Sequence, residues 1–193
     1  EFGAKYPKTS KRCNSPKKIA EKGDILLSVR APVGDVNIAP ERCCIGRGLA
    51  AIRAMGNDND FLYFVMDYDK SILANIVQGS TFGAINKKVL FALKIPFPPL
   101  PEQKKIAEVL STVDKAIEKR QEIMEKTKEL KKGLMQELLT RGVGHKKFKM
   151  TRVGKIISSV DAQIEREIAH KERLEDIKKG LMQVLLTGKA RVS

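Results

Sequence analysis

Apolar and polar positions follow two rhythms along this chain. In the first hundred residues, short apolar runs are cut by glycine and proline. Ile25-Leu26-Leu27-Ser28-Val29-Arg30 follows the turn pair Gly23-Asp24, and Val36-Asn37-Ile38-Ala39 follows Gly34-Asp35. With residues 43–45 and 49–52 these runs predict four strands, because period-two alternation suits a half-buried pleated surface. Asn57 or Asp58 is placed to cap a helix carrying Phe61, Leu62, Phe64, Val65, Ile72, Leu73 and Ile76. A short side-chain oxygen there accepts from the orphan amides of a first helical turn. Gly79-Ser80-Thr81-Phe82-Gly83 reads as a loop, and residues 90–97 as a short apolar segment closed by prolines.

After Pro101 the rhythm becomes helical. Ile106, Val109, Leu110, Val113, Ile117, Met124, Leu130, Leu134 and Leu138 recur at three- and four-residue spacing. Pro101 and Glu102 suit the first turn, and Gly142 the stop. A second helix is predicted over residues 153–187, striped by Ile157, Val160, Ile164, Leu174, Ile177, Leu181 and Leu185. At ~1.5 Å per residue each reaches roughly 50–60 Å. Lone helices of this kind are marginal in water, and their stripes suit a two-helix coiled coil. The expected fold is α+β: a globular domain over 1–100, then a long antiparallel helical hairpin. The hairpin comprises a helix at 101–142, a basic connector at 143–152 and a helix at 153–193.

The two helices repeat one another. Lys131-Lys132-Gly133-Leu134-Met135-Gln136 recurs unchanged as Lys178-Lys179-Gly180-Leu181-Met182-Gln183, and Val113-Asp114 as Val160-Asp161. Every match is offset by 47 residues without a gap. Repeated helices imply equivalent packing environments, and so a pseudo-twofold pair. A mid-helix glycine costs about 1 kcal/mol against alanine, so Gly133 and Gly180 predict close approach of the helices.

Charge sharpens the functional reading. Lys and Arg total 37 against 23 Asp and Glu, a net charge of +14 with a pI near 9.7. That excess points to a polyanion, nucleic acid first. Two basic clusters carry it: Lys5, Lys8, Lys11, Arg12, Lys17, Lys18 and Lys22, and six cations with no acid over residues 141–155. Trp is absent and aromatics are 5%, so stacking on single-stranded bases is poorly supplied.

Other chemistries find little support. No apolar run approaches the ~18 residues needed to span a bilayer, and residues 1–6 do not read as a signal peptide. Three cysteines, Cys13, Cys43 and Cys44, make no disulfide framework, so a reducing cytoplasm is expected. Cys43-Cys44 is read as strand, with small buried hydrophobes the default. The two histidines, His145 and His170, give no zinc spacing. Gly46-Arg47-Gly48 is only a fragment of a dinucleotide motif. Phe97-Pro98-Pro99-Leu100 lacks the Asp or Asn and the aromatic that flank the proline pair of adenine methyltransferases. Glu102-Gln103-Lys104 matches half of a nuclease pattern, without its second metal ligand.

Several motifs together carry a family resemblance. They are Gly23-Asp24-Ile25-Leu26-Leu27-Ser28-Val29-Arg30, Val33-Gly34-Asp35-Val36, Cys44-Ile45-Gly46-Arg47-Gly48 and Gly79-Ser80-Thr81. Ile95-Pro96-Phe97-Pro98-Pro99-Leu100-Pro101-Glu102-Gln103 and the repeated Lys-Lys-Gly-Leu-Met-Gln complete the set. In these the chain resembles the specificity subunit of type I restriction-modification enzymes. The family alternates two target recognition domains with two long helices. Set against that pattern, the first domain is expected to lack the family's front portion, and the segment from Gly144 to Ile156 resembles the start of a second domain that is otherwise expected to be missing.

The resemblance implies a non-catalytic subunit that reads half of a bipartite site in double-stranded DNA. Its helices would dock methyltransferase (modification) subunits, which bring the S-adenosylmethionine. A restriction subunit would bring ATP-driven translocation. No cofactor and no metal is expected on this chain itself. The expected DNA contacts are Lys11, Arg12, Lys17, Lys18, Arg30, Arg47, Ser80, Thr81, Lys87 and Lys88. Arg30 and Arg47 are the candidates for base edges and the lysines for phosphates, since a guanidinium can bond guanine in bidentate fashion. One recognition domain reads half a site, which favours a homodimer formed by helix exchange, whereas the short connector favours a closed hairpin. The rival reading is a coiled-coil scaffold or oligomerisation protein with no DNA role.

Overall fold

The computed structural model describes residues 2–3, 5–8, 12–30, 32–70, 85, 87–140 and 150–192. They fall into two units: residues 1–108 with 182–193, and residues 109–181.

The first unit is built on β1 (Ile19–Ala20), β2 (Ile25–Ser28), β3 (Val36–Ile38), β4 (Cys43–Cys44) and β5 (Leu49–Ile52). β2 lies between β3 and β5, antiparallel to both, with Ile25 opposite Ile38 on one side and Ile52 on the other. A separate pair joins β1 to β4, Ala20 opposite Cys43. The turn from β2 to β3 needs Gly34, whose φ of 99° is open to glycine at little cost, and whose N–H donates back to the Ser28 carbonyl. β1 has no counterpart in the predicted strands, since two residues are too few to show a period.

Helix α1 (Asn59–Tyr68) packs on β3 and buries Phe61, Leu62, Tyr63, Phe64, Val65 and Met66. Of the two cap candidates, Asp58 takes the role: its carboxylate accepts from Phe61 N–H at 2.8 Å. The predicted continuation through Ile72, Leu73 and Ile76 lies outside the described residues. A short helix α2 (Lys87–Ala92) precedes the proline run.

Three buried polar side chains tie distant segments of this unit together. Asn37, in the middle of β3, is fully buried although alternation assigns it to the solvent face. Its amide donates to Gly3 O and accepts from Gly3 N–H, both at 3.0 Å, and the amino-terminal segment thereby covers that face. Lys5 adds a backbone bond to Ile38, and its ammonium lies 5.5 Å from the rings of Tyr63 and Phe64 and 3.7 Å from Asp60. Lys5 therefore leaves the basic cluster to which the sequence assigns it.

Asp24 is the second tie. It accepts from Arg53 Nε at 2.6 Å, from Arg53 Nη2 at 2.9 Å and from Glu21 N–H at 2.8 Å. Burial pushes its carboxyl up, but the Arg53 guanidinium and the Glu21 amide outweigh burial and hold it below the ordinary value of 3.8. Gln103 is the third. Its carbonyl accepts from Asp58 N–H at 2.9 Å, and its amide donates to Asn57 Oδ1 at 2.8 Å and to Pro98 O at 2.7 Å. Gln103, which the sequence places in half of a nuclease pattern and at the end of a family motif, thus fixes the start of a helix against the cap of α1.

Helix α3 (Leu100–Thr140) runs for 41 residues and helix α4 (Met150–Leu185) for 36. The predicted stop at Gly142 and residues 143–149 of the expected connector lie outside the described residues, and residues 150–152 are already helical. In the second unit the helices pair antiparallel. Asp114 meets Lys178 at 2.7 Å, Arg120 meets Glu167 at 3.1 Å, and Lys131 meets Asp161 at 2.5 Å. The hairpin of the sequence reading is present and closes within one chain.

Two sequence expectations fail here. Gly133 and Gly180 are exposed, and a Cβ added to either meets nothing within 4 Å, so they do not mark close helix approach. The stripes are also less continuous than their spacing implies: Leu130 is 57% exposed and Ile177 52%. A 3.6-residue helix drifts against a regular stripe, and the drift carries these positions out of the seam.

Candidate nucleic-acid interface

The turn between β4 and β5, Gly46-Arg47-Gly48, gathers the basic residues of the first unit. β2 ends at Ser28, and the next residue, Val29, donates its N–H to Gly48 O at 2.9 Å. That bond lays the turn beside Arg30, whose aliphatic stem comes 3.8 Å from where a Gly48 Cβ would stand. The Val29 carbonyl in turn accepts from Ile85 N–H at 2.9 Å. Lys87 and Lys88, which open α2, leave from this point. On the other side, Ile45 N–H donates to Lys18 O at 3.0 Å, so Lys17-Lys18 reaches β1 beside the entrance to the same turn. Backbone bonds that sequence spacing does not reveal thus bring the segments carrying six of the ten candidate residues to this turn. Arg12 is exposed on the segment leading to Lys17, while Lys11, Ser80 and Thr81 lie outside the described residues.

Several cations of the unit are neutralised, among them Arg53 by Asp24, Arg42 by Glu21 at 3.2 Å, and Lys70 by Asp67 at 2.8 Å. Lys17, Lys18, Arg30, Arg47, Lys87 and Lys88 are exposed and form no ion pair with any described residue. Exposed, uncompensated cations on one surface attract a polyanion and release its counterions. Ser28 holds the Arg30 backbone, its hydroxyl lying 2.8 Å from Arg30 O and 2.7 Å from Pro32 O.

Sequence reasoning missed Phe91. It stands 79% exposed on α2, with the Lys87 ammonium 5.5 Å from its ring. The only signal was the i, i+4 spacing of a lysine and an aromatic. The cysteines divide differently from expectation. Cys43 packs against Ala20, Leu26 and Ala39, and burial pushes its thiol up, with Cys44, Glu41 and Asp24 adding to the shift. Cys44 is exposed, because adjacent strand residues face opposite ways. Among the described residues there is no group of His, Cys, Asp and Glu that could hold a metal, and no helix long and apolar enough to cross a membrane.

A small antiparallel domain with a basic turn, together with a repeated helical pair, is the layout of a recognition module. Residues 7–129 match the family described as the type I restriction modification DNA specificity domain, and the chain belongs to that family. It is 46% identical over 142 residues to the MjaX type I restriction enzyme specificity subunit of Methanocaldococcus jannaschii, a match covering 72% of this chain and 33% of that protein. The chain thus corresponds to about a third of that relative's length. The HsdS subunit of Thermoanaerobacter tengcongensis aligns over 98% of this chain and 36% of its own, with a TM-score of 0.51 and 25% identity. The type I restriction-modification S subunit of M. genitalium shares the fold, with a TM-score of 0.53 and 24% identity over 62% of this chain and 33% of its own.

Proposed function

We propose that this chain is the DNA-recognition component of a type I restriction-modification complex, without catalytic activity of its own, and acts in the cytoplasm. Its first unit reads a half-site in double-stranded DNA, with Arg30 and Arg47 at base edges and Lys17, Lys18, Lys87 and Lys88 on phosphates. The observation that carries the reading is the convergence of these unpaired cations on the 46–48 turn in a chain of this family.

The helices dock methyltransferase subunits, and a restriction subunit joins that assembly. Support comes from repeat-related exposed apolar positions: Leu130 with Ile177, and Val109 with Ile156. Surfaces repeated at a 47-residue offset can seat the same partner twice. A second copy of this chain would supply the other half-site, either through such partners or by exchanging helices.

Titrating duplex DNA at increasing salt tests the reading. Between about 50 and 200 mM salt, affinity should fall by orders of magnitude if several phosphates are neutralised. Arg47→Ala should cost about 1–3 kcal/mol and relax preference at one position, whereas Lys17→Ala should weaken all sequences alike. A flat salt response defeats the DNA reading in favour of a scaffold.

A further inference from the structure

The ion pairs of the helical hairpin obey the repeat at two places and break it at one. Residues 47 apart are equivalent, so Asp114 corresponds to Asp161 and Lys131 to Lys178. Exchanging equivalents turns the Asp114–Lys178 pair into the Lys131–Asp161 pair, and both are formed, at 2.7 and 2.5 Å. Arg120 pairs with Glu167, its own equivalent 47 residues on. A contact between equivalents lies at the twofold centre of the pairing. There the repeat carries opposite charges where it could have carried one residue twice.

This matters for what else α3 could pair with. Suppose α3 met α3 of a second copy in the same antiparallel register. Asp114 would meet Lys131 twice over, reproducing both outer ion pairs. Apolar positions would match as well, because Val113 is equivalent to Val160 and Leu134 to Leu181. Two copies of α4 would likewise pair Asp161 with Lys178. Only the centre differs: α3 with α3 sets Arg120 against Arg120, and α4 with α4 sets Glu167 against Glu167. The Glu167 side chain is 7% exposed, with one oxygen 3.1 Å from Arg120 and the other 3.0 Å from the Gln163 amide. Two carboxylates forced together at such a site carry a desolvation penalty that no cation offsets.

We infer that Arg120 and Glu167 form a partner-selecting pair, which admits an α4 to each α3, from the same chain or from a second copy, and rejects like-with-like pairing. Without it, a chain could join one neighbour through α3 and another through α4, and such contacts string molecules into open assemblies. With it, strings built on like-with-like contacts are shut out, and the closed hairpin and the exchanged dimer are the compact pairings that satisfy every helix.

Two single variants of the full chain test this, Glu167→Arg and Arg120→Glu. Alone, each places like charges at the centre of every available pairing, and should melt below the original chain. Mixed in equal amounts, they place Arg against Glu in every pairing between the two chains. The mixture should form a one-to-one complex near twice the 21.5 kDa chain mass and melt above either variant. Association between the two should be at least about a hundredfold stronger than of either with itself. The double exchange Arg120→Glu with Glu167→Arg in one chain should regain the original melting temperature and pair with neither single variant. Three results would overturn the inference: a mixture that keeps the separate masses, single variants that behave as the original chain, or a double exchange that fails to recover.

Discussion

On one helix, α3, Gln103 is held by partners from two other segments, while Arg120 meets the residue that its own repeat would nominate. The contrast extends to the units around them. In the first, single polar side chains bind distant segments, and nothing else among the described residues duplicates them. In the second, Asp114–Lys178 and Lys131–Asp161 back each other up. A domain tied by unique buried bonds is vulnerable at each of them, whereas a hairpin written twice tolerates loss on either side.

Gln103→Leu is the strongest way to break this contrast. It leaves the Asp58 amide and the Pro98 carbonyl without their partner in a buried setting, and should cost about 3 kcal/mol in urea unfolding of the whole chain. A loss under ~1 kcal/mol would mean that water substitutes and that the tie is not special.

Asp24→Ala comes next. It should cost about 2 kcal/mol, less than a fully buried pair because Arg53 is half exposed and can turn to water. The pair also sets an acid limit. Since the folded carboxyl titrates below its ordinary value of 3.8, unfolding takes up a proton at low pH. Its contribution is therefore complete above the ordinary value and lost as pH falls through the lower folded one. Urea midpoints at neutral and acid pH should converge for the original chain and the variant; parallel curves would show that Asp24 carries no such linkage.

Opposite in sign is Gly133→Ala, or Gly180→Ala. Both positions are exposed within helices and open around an added methyl, so each should gain about 1 kcal/mol in thermal unfolding. A destabilised variant would restore the close approach that the sequence suggested. The smallest effect is expected for Lys131→Ala, about 0.5 kcal/mol, because the ion pair is partly solvated and its repeat partner persists. A loss as large as that of Gln103→Leu would erase the distinction between the units.

The same contrast explains what the sequence made legible. β2, β5, the Asp58 cap and both long helices follow from local period and cap chemistry, which act over a few residues. Asn37 did not, because alternation reports which face a side chain takes and not whether that face is covered; the cover comes from Gly3, 34 residues away. The ten candidate contacts were chosen by charge and motif, and their convergence on the 46–48 turn depends on hydrogen bonds from Val29, Ile85 and Ile45 that no spacing encodes. The hairpin partners were legible only through the repeat, and Arg120 with Glu167 stood out only once the helices were paired.

Gln103 also sets a rule for building chimeras. A recognition domain transplanted from a relative has an obvious cut at the prolines, where strand and turn give way to helix. A cut there would separate the glutamine side chain from Asn57 and Asp58, two of the three residues whose polar atoms it satisfies. The transferable cassette therefore extends at least through Gln103, a full turn into the helix. A graft joined at residue 100 should inherit its specificity yet hinge loosely at the seam unless the donor carries the same Asn-Asp step.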